Sequence, residues 1–176
     1  MNLLITGGSG YVGTRLINFF LEQKKIKIFN YDLALYGDDH LPKNENLVNI
    51  KKDIRDAKSF KDVLIENKID TVLHLACISN DPSFDLNPVL SKEVNYVCFE
   101  NLVKLSKRNG VKKFIYASTS SVYGVSDSPN VDEKHPLKAI TDYNKFKAMC
   151  EPILLDEINN DFLGIVIRPA TVCGFS

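Results

Sequence analysis

The stretch ITGGSGYVGTRL, residues 5–16, joins an apolar run to an amphipathic one through a turn with four glycines, at positions 7, 8, 10 and 13. Residues 2–6 are typical of a strand, and a helical pattern of apolar residues begins at Tyr11. Glycines in a strand-to-helix turn tolerate positive φ and let the backbone approach a phosphate, whose charge is favoured at a helix N-terminus. The turn fits both G-x-G-x-x-G from Gly8 and G-x-x-G-x-x-G from Gly7, so by itself it predicts a phosphate-bearing ligand without choosing its class.

Short runs rich in Ile, Val, Leu and Phe alternate with longer amphipathic segments along the rest of the chain. The patterns predict strands at residues 2–6, 26–32, 47–51, 71–75, 113–118 and 162–168, and helices at 11–23, 57–67, 89–109 and 141–158. Asp56 is a predicted N-cap, Gly110 a predicted stop, and Pro152 should kink or shorten the last helix. We therefore predict an α/β fold of the Rossmann type, a doubly wound parallel sheet with helices on both faces. Ligands of such a sheet bind at the carboxyl ends of its strands.

Composition limits the function classes. The 176 residues carry 22 basic and 22 acidic side chains, and a formal net charge of zero argues against nucleic acid or an anionic membrane as a partner. No apolar run approaches the roughly 18 residues of a membrane span. The four cysteines form no C-x-x-C pair and the three histidines lack metal-ligand spacing. We therefore predict reduced cysteines, a cytoplasmic location and no metal.

Asp32 ends the second predicted strand, about 20 residues after the glycine turn, where an acidic side chain can accept hydrogen bonds from the adenosine ribose. No arginine or lysine follows it closely to hold a 2′-phosphate, which favours NAD over NADP. The turn also lacks the G-K-[ST] ending of a nucleoside-triphosphate loop. The alternative for Asp32 is a solvated strand end.

Tyr143 and Lys147 form a Y-x-x-x-K pattern within a predicted helix, so both side chains share one helix face. A nearby ammonium and a cationic nicotinamide would both stabilise a tyrosine phenolate, which lowers its pKa and suits a catalytic base. A hydroxyl run, residues 118–121, follows a predicted buried strand. One of these hydroxyls can bind a substrate oxygen, or the run can be a turn that caps local backbone groups.

These motifs, in this order, resemble those of the extended short-chain dehydrogenase/reductase family, in its branch of NAD-dependent nucleotide-sugar epimerases and dehydratases typified by UDP-glucose 4-epimerase. Besides the tyrosine–lysine pair, the matching segments are TGGSGYVG (6–13), YD ending at Asp32, DIRD (53–56), LHLAC (73–77), VNY (94–96), YASTSSVYG (116–124) and IRPATVCG (167–174). The family uses the T-G-x-x-G-x-x-G spacing, so the resemblance selects Gly7, Gly10 and Gly13.

The resemblance also implies roles for individual residues. Tyr143 would be the catalytic base, Lys147 its partner on the nicotinamide ribose, and Thr119 the hydroxyl that holds the substrate oxygen. Tyr11 and Val12 would lie against the pyrophosphate, Asp53 and Ile54 would border the adenine, and Leu75, Ala76 and Cys77 would pass beneath the nicotinamide half. Asn95 would lie near the cofactor or be structural. The implied NAD site is thus Gly7, Gly10, Tyr11, Val12, Gly13, Asp32, Asp53, Ile54, Leu75, Ala76, Cys77, Asn95, Tyr143 and Lys147.

The implied activity is epimerisation of a nucleotide-sugar, at C4, through a 4-keto intermediate with NAD recycled on the enzyme. Family members that eliminate water carry acidic residues directly after the catalytic threonine, where this chain has Ser120 and Ser121, so a 4,6-dehydratase is disfavoured. The alternatives are an NAD(P)-dependent reductase or dehydrogenase, or a 4,6-dehydratase, of the same fold. A third alternative is a non-catalytic NAD-binding module.

Family members are usually much longer, with a C-terminal part that binds the nucleotide-sugar. We therefore interpret residues 1–176 as the NAD-binding domain of a longer enzyme whose substrate domain is absent from this chain. The alternative is a short relative with a substrate pocket from elsewhere. Family members often form homodimers through two helices, which here offer apolar residues that can equally face the sheet: Leu90, Val94, Val97, Ile153, Leu154 and Ile158.

Overall fold

The computed structural model describes residues 1–23 and 25–174. Six strands are present: β1 (Asn2–Thr6), β2 (Lys27–Asp32), β3 (Leu47–Lys51), β4 (Thr71–His74), β5 (Lys113–Ala117) and β6 (Leu163–Ile167). The α-helices are α1 (Tyr11–Leu21), α2 (Ala57–Glu66), α3 (Asp81–Leu86), α4 (Pro88–Lys92), α5 (Phe99–Arg108) and α6 (Asp142–Leu155). A π-helical turn, Glu93–Val97, joins α4 to α5, and a 3₁₀ turn, Ser120–Tyr123, follows β5.

The six strands form one parallel sheet in the order β3-β2-β1-β4-β5-β6. The chain moves outward from β1 to β3, then returns to the other side of β1 for β4, so the strand order reverses between β1 and β4. In a doubly wound sheet this reversal leaves a crevice at the carboxyl ends of the two strands, where ligands bind. The predicted Rossmann arrangement is confirmed.

Helices cover both faces of the sheet. On one face, α1 packs through Ile17 against Leu3, Ile5 and Ile28. On the other face, side chains of α2, α5 and α6 form the larger core with β1, β2 and β5, and Leu4, Phe60, Leu102, Phe114 and Leu154 are at most 1% exposed. Strands β1, β2 and β4 are buried on both faces, so they lack the polar–apolar alternation of a half-exposed sheet.

The face of β6 on the same side of the sheet as α1 is less covered by other elements than the face that packs on α6. Gly164 faces α6, because a Cβ added there would meet Leu154 and Ile158. Its strand neighbours therefore point to the opposite side. Leu163 and Ile167 on that side are 45% and 47% exposed, and no helix among the described residues covers them.

The predicted elements are largely confirmed, with two corrections. The helix predicted at 89–109 is interrupted by the π-helical turn, and a further helix, α3, precedes it. Pro82 and Pro88 lie in the first turns of α3 and α4, and Asn80 and Asn87 accept the N-cap hydrogen bonds, so each short helix has its own start signal. The last helix ends at Leu155, three residues early, with Pro152 inside its final turn.

Among the described residues, no helix combines the length and the apolar character needed to cross a membrane.

Candidate functional site

The glycine turn lies at the carboxyl end of β1, in the crevice where the strand order reverses. Gly7 has φ +75°, and a Cβ there would lie 2.7 Å from the backbone of Ala76, which follows β4. A Cβ on Gly13 would lie 2.5 Å from Gly7 O and from Gly8 Cα. A Cβ at Gly7 or Gly13 would clash with backbone atoms, so the turn folds this closely against α1 and the end of β4 only with glycine at these two positions.

The turn presents the start of α1 to the crevice. Gly10 is the N-cap of α1 and contributes no side chain, so the first N–H groups of the helix, from Tyr11 onward, have no capping partner among the described residues. Tyr11 and Val12 are 46% and 36% exposed. Free N–H groups at the positive end of a helix form a binding site for an anion such as a pyrophosphate.

Asp32 lies beside the turn, as predicted. Its Oδ2 accepts a hydrogen bond from Ser9 N at 3.0 Å and its Oδ1 one from Ala34 N at 2.8 Å. Each carboxylate oxygen keeps a further lone pair for a ligand hydroxyl. The described residues thus fit a dinucleotide: a cradle without side chains, free helix N–H groups and an oriented carboxylate.

Asp53 and Ile54 follow β3 at the same edge of the sheet. The Ile54 side chain is 6% exposed and belongs to the core, so only its backbone can reach a ligand. The Asp53 carboxylate forms a forked ion pair with Arg55 at 2.7 Å, and the Arg55 guanidinium holds the pKa of Asp53 below its usual range. Arg55 also pairs with Glu93 at 2.8 Å, which ties this loop to the π-helical turn.

Leu75, Ala76 and Cys77 extend from the end of β4, and Leu75 N donates to Thr6 O at 3.0 Å. The following residue, Ile78, is held by Asn95, whose amide accepts from Ile78 N at 2.8 Å and donates to Ile78 O at 3.0 Å. Asn95 lies in the π-helical turn and is 3% exposed. With both ends of its amide bonded to Ile78, the Asn95 side chain supports the loop after β4.

Thr119 follows β5 and is the N-cap of the 3₁₀ turn. Its Oγ1 accepts a hydrogen bond from Ser121 N at 3.2 Å, so the hydroxyl also serves as a local cap. The two alternatives for the hydroxyl run are therefore compatible, because a hydroxyl that accepts one bond can still donate its proton.

Tyr143 and Lys147 lie one turn apart on α6, which packs against the 3₁₀ turn after Thr119. Lys147 Nζ is 5.9 Å from the centroid of the Tyr143 ring and donates to Ala117 O at 2.8 Å. Lys147 is 3% exposed although it is charged. An unpaired buried ammonium is costly, so this hydrogen bond to the end of β5 fixes where the charge lies.

In the protein without a bound cofactor, the pKa of Tyr143 lies above its ordinary value. Burial raises the pKa of Tyr143, the adjacent Cys77 raises it further, and the backbone of Asn80 lowers it by a smaller amount. The Lys147 ammonium is engaged by Ala117 O, and its distance from the ring leaves the burial contribution dominant.

Two groups of residues around the site were missed by sequence analysis. Asn30, in β2, is 2% exposed, and its amide donates to Ser9 Oγ and to Asn49 Oδ1, both at 3.0 Å. Since Ser9 belongs to the glycine turn, the first of these bonds stabilises the turn against the sheet. The second group is a buried ion pair between Glu151 and Arg168. A polar residue inside an apolar strand signals the first group, and a glutamate one turn after Lys147 signals the second.

Fold and site together define a dinucleotide-binding Rossmann domain with the tyrosine–lysine pair of a short-chain dehydrogenase/reductase. The chain belongs to the NAD dependent epimerase/dehydratase family, whose family model matches residues 3–176. The recognised family is thereby confirmed, and so is NAD as the cofactor of that family.

Three similar proteins illustrate the range of the family. The chain is 28% identical over 175 residues to D-erythronate dehydrogenase of Haemophilus influenzae, with 98% of this chain and 55% of that protein aligned. It is 30% identical over 183 residues to UDP-arabinose 4-epimerase 1 of Arabidopsis thaliana, covering 98% of this chain and 43% of the relative. The crystal structure of UDP-glucose 4-epimerase from Thermus thermophilus, complexed with NAD, superposes with a TM-score of 0.86 at 25% identity, covering 96% of this chain and 54% of that one. The chain thus spans about half the length of these relatives.

Proposed function

We propose that the complete protein is an NAD-dependent nucleotide-sugar epimerase acting at C4, and that this chain forms its NAD site. The observation that carries the proposal is the placement of Tyr143 and Lys147 on one face of α6, beside Ala117 at the end of β5. This pair lies at the same edge of the sheet as the glycine turn and Asp32, so a dinucleotide bound along the crevice would bring its nicotinamide half towards Tyr143.

Each role in cofactor binding and proton transfer falls to particular residues of the chain. The turn and the first N–H groups of α1 hold the pyrophosphate, and Asp32 accepts hydrogen bonds from the adenosine ribose. Tyr143 takes the proton of the sugar O4 hydroxyl, while the Thr119 hydroxyl donates a hydrogen bond to the same oxygen. NAD, when bound, would supply reversible hydride transfer at C4, so that the hydride lost from one face of C4 can return to the opposite face of the 4-keto sugar. Tyr143 finally gives its proton back to O4, which completes the inversion.

Since burial raises the pKa of Tyr143, the phenolate that would act as the base is scarcely populated in the protein alone. The positive charge of an oxidised nicotinamide and the Lys147 ammonium both favour the phenolate. Tyr143 therefore becomes an effective base only when the oxidised cofactor is present.

A dehydrogenase that releases reduced cofactor is the second candidate, and the similarity to D-erythronate dehydrogenase favours it. A 4,6-dehydratase is opposed by Ser120 and Ser121, which have no carboxyl groups to assist the elimination of water. A non-catalytic NAD-binding module is opposed by the retention of both Tyr143 and Lys147.

The test separates these candidates on the complete gene product. Incubation with NAD and UDP-hexoses, followed by NMR of the sugar anomeric and C4 protons, should show interconversion of C4 epimers with no net absorbance from reduced nicotinamide. Stoichiometric formation of reduced nicotinamide would identify a dehydrogenase instead. Unchanged sugars and unchanged absorbance, with NAD bound, would reject an epimerase acting on UDP-hexoses.

The interpretation of residues 1–176 as the NAD-binding domain of a longer enzyme stays a prediction, which the exposed apolar side chains of β6 support because a further segment could cover them. Cytoplasmic location and homodimerisation stay predictions as well. Of the apolar positions considered for a dimer, Leu154 is fully buried and Val94 and Ile153 pack on the core, whereas Val97 and Ile158 are 58% and 41% exposed.

A further inference from the structure

A buried ion pair lies directly beneath the proposed catalytic residues. Glu151 is 2% exposed, and both of its carboxylate oxygens accept hydrogen bonds from Arg168, with Nη2 at 2.6 Å from Oε2 and Nε at 3.0 Å from Oε1. Ser118 Oγ donates to Oε1 as well, at 2.6 Å. A buried carboxylate is tolerated only with partners of this kind, so the three side chains form one rigid unit.

The unit connects the same two elements as Lys147 does. Lys147 Nζ is bound by Ala117 O, and Glu151, one turn further along α6, is bound by the next residue of the chain, Ser118. Two adjacent residues at the end of β5 are thus joined to two adjacent turns of α6. Because the two contacts are offset along the helix, together they fix its rotation as well as its distance from the strand.

The same unit reaches the segment that carries Thr119. Ser118 directly precedes Thr119, and Arg168 Nη1 donates to Tyr123 Oη at 2.8 Å, at the far end of the 3₁₀ turn that Thr119 caps. The Arg168 guanidinium also lies 5.0 Å from the centroid of the Tyr123 ring. The turn is therefore held at both ends by side chains bound to one carboxylate.

The ion pair with Arg168 also affects how the Glu151 carboxylate acts on the Lys147 ammonium. Glu151 lies four residues after Lys147 on α6, a spacing at which a free carboxylate attracts an ammonium. With both oxygens engaged by Arg168 and Ser118, the carboxylate does not draw Lys147 Nζ away from Ala117 O.

We propose that Glu151 is a positioning residue, which acts through Ser118 and Arg168 to hold Lys147 and Thr119 in register with Tyr143. The inference rests on the proposed function in one respect, the assignment of Lys147 to the nicotinamide ribose. A loss of this brace disturbs the nicotinamide half of the dinucleotide site and leaves the half formed by the glycine turn and Asp32 intact.

The experiment compares binding of NAD with binding of ADP, which occupies only the distant half of the site, by isothermal titration calorimetry of the complete gene product. Ser118→Ala removes one hydrogen bond and keeps the ion pair, so the variant should fold. Its dissociation constant for NAD should rise about tenfold, while that for ADP should stay within about twofold of wild type. Glu151→Gln, which keeps the shape but not the charge, should weaken NAD binding in the same selective way and by more.

Ser106→Ala is the matched control, because Ser106 is also a buried serine whose hydroxyl donates one hydrogen bond, to Leu102 O in α5. It should bind NAD and ADP like wild type. Equal weakening of both ligands in Ser118→Ala, no weakening of either, or the same selective loss in Ser106→Ala would each overturn the inference.

The outcome is independent of the sugar reaction. A wild-type protein that interconverts C4 epimers, combined with a Ser118→Ala variant of unchanged NAD affinity, rejects the brace and keeps the epimerase. A wild-type protein that binds NAD but leaves UDP-hexoses unchanged, combined with the selective loss in Ser118→Ala, supports the brace and rejects the epimerase.

Discussion

His74 Nδ1 and Thr6 Oγ1 are hydrogen-bonded at 2.8 Å across the two strands between which the sheet reverses its order. They are paired in register as the last residues of β4 and β1, and both are buried. Thr6 Oγ1 also accepts a bond from Ala76 N at 3.4 Å. A buried polar contact therefore joins the ends of the two strands that border the dinucleotide crevice.

This contact predicts a pH-dependent stability. Burial, and to a smaller extent the charge of Lys147, lower the pKa of His74 from 6.5 to about 3. The unfolded chain then binds a proton below pH ~6.5 that the folded chain does not bind until about pH 3. The contribution of neutral His74 is present in full above pH ~6.5, and the free energy of unfolding falls by up to ~1.4 kcal/mol per pH unit as the pH drops below it.

Urea unfolding at pH 7.5, 6 and 5 measures this slope. His74→Asn should be less stable at pH 7.5, because the imidazole packs against Phe99, Phe114 and Tyr116, but should lose less stability on acidification. An identical pH slope in both proteins would show that His74 is not the titrating group.

The glycine turn predicts unequal effects for two alanine substitutions. In Gly13→Ala the new Cβ would lie 2.5 Å from backbone atoms of Gly7 and Gly8, so we expect a loss of ~1–3 kcal/mol in stability. NAD affinity should fall at least about tenfold. Gly10→Ala places its Cβ 3.2 Å from Gly7 O at φ −81° and should be milder in stability. Thermal unfolding and calorimetric NAD titration provide both values, and Gly10→Ala as the less stable variant would contradict the packing argument.

The Asp32 carboxylate should determine the preference of the site for NAD over NADP. Asp32→Asn removes a charged acceptor from the ribose site and the repulsion against a 2′-phosphate, so NAD should bind about tenfold more weakly and the preference for NAD over NADP should shrink. Asp39→Asn, an exposed position in the loop after β2, is the control and should change neither affinity. Competition titrations with NAD and NADP make the measurement, and an unchanged NAD/NADP ratio would exclude Asp32 from ribose recognition.

Tyr143→Phe separates chemistry from binding. The variant removes only the hydroxyl and keeps the ring. The ring packs edge-on to Phe84, with the two ring centroids 6.5 Å apart. The epimerisation rate should fall by about 10²–10⁴-fold, the usual contribution of an acid–base group, with NAD affinity within about threefold of wild type. Retention of more than about a tenth of the wild-type rate would assign proton transfer to another residue.

Removal of the Asn95 side chain should lower the stability of the protein, whatever its effect on catalysis. Asn95→Ala would remove two hydrogen bonds from the Ile78 backbone, at an expected cost of ~2–4 kcal/mol. Asn101→Ala, on the exposed side of α5, should change stability by less than ~0.5 kcal/mol. Chemical denaturation compares the two, and equal stabilities would mean that Asn95 does not support the loop after β4.

The helices and strands with strong signals in their own sequence segments were predicted most accurately. The strands at 2–6 and 47–51 were predicted with correct bounds, and Asp56 caps α2 by accepting from Ser59 N, as the sequence indicated. The helix predicted at 89–109 was wrong in detail, because a π-helical turn interrupts it where Asn95 contacts Ile78, 17 residues earlier in the chain. Helical periodicity reports neighbours within a turn or two and carries no information on such a contact.

The alternation of strands and helices, the glycine turn, the acidic end of β2 and the tyrosine–lysine spacing can all be read from the amino-acid sequence. Each of these is a short-range pattern, set by φ preferences, side-chain periodicity and hydrogen bonds between near neighbours. The folded chain was needed to establish the strand order, the hydrogen bond from Lys147 to Ala117 O, the burial that raises the pKa of Tyr143 and the ion pair of Glu151 with Arg168. These features depend on distances between residues remote in sequence and on how far each group is removed from water, which packing of the complete sheet establishes.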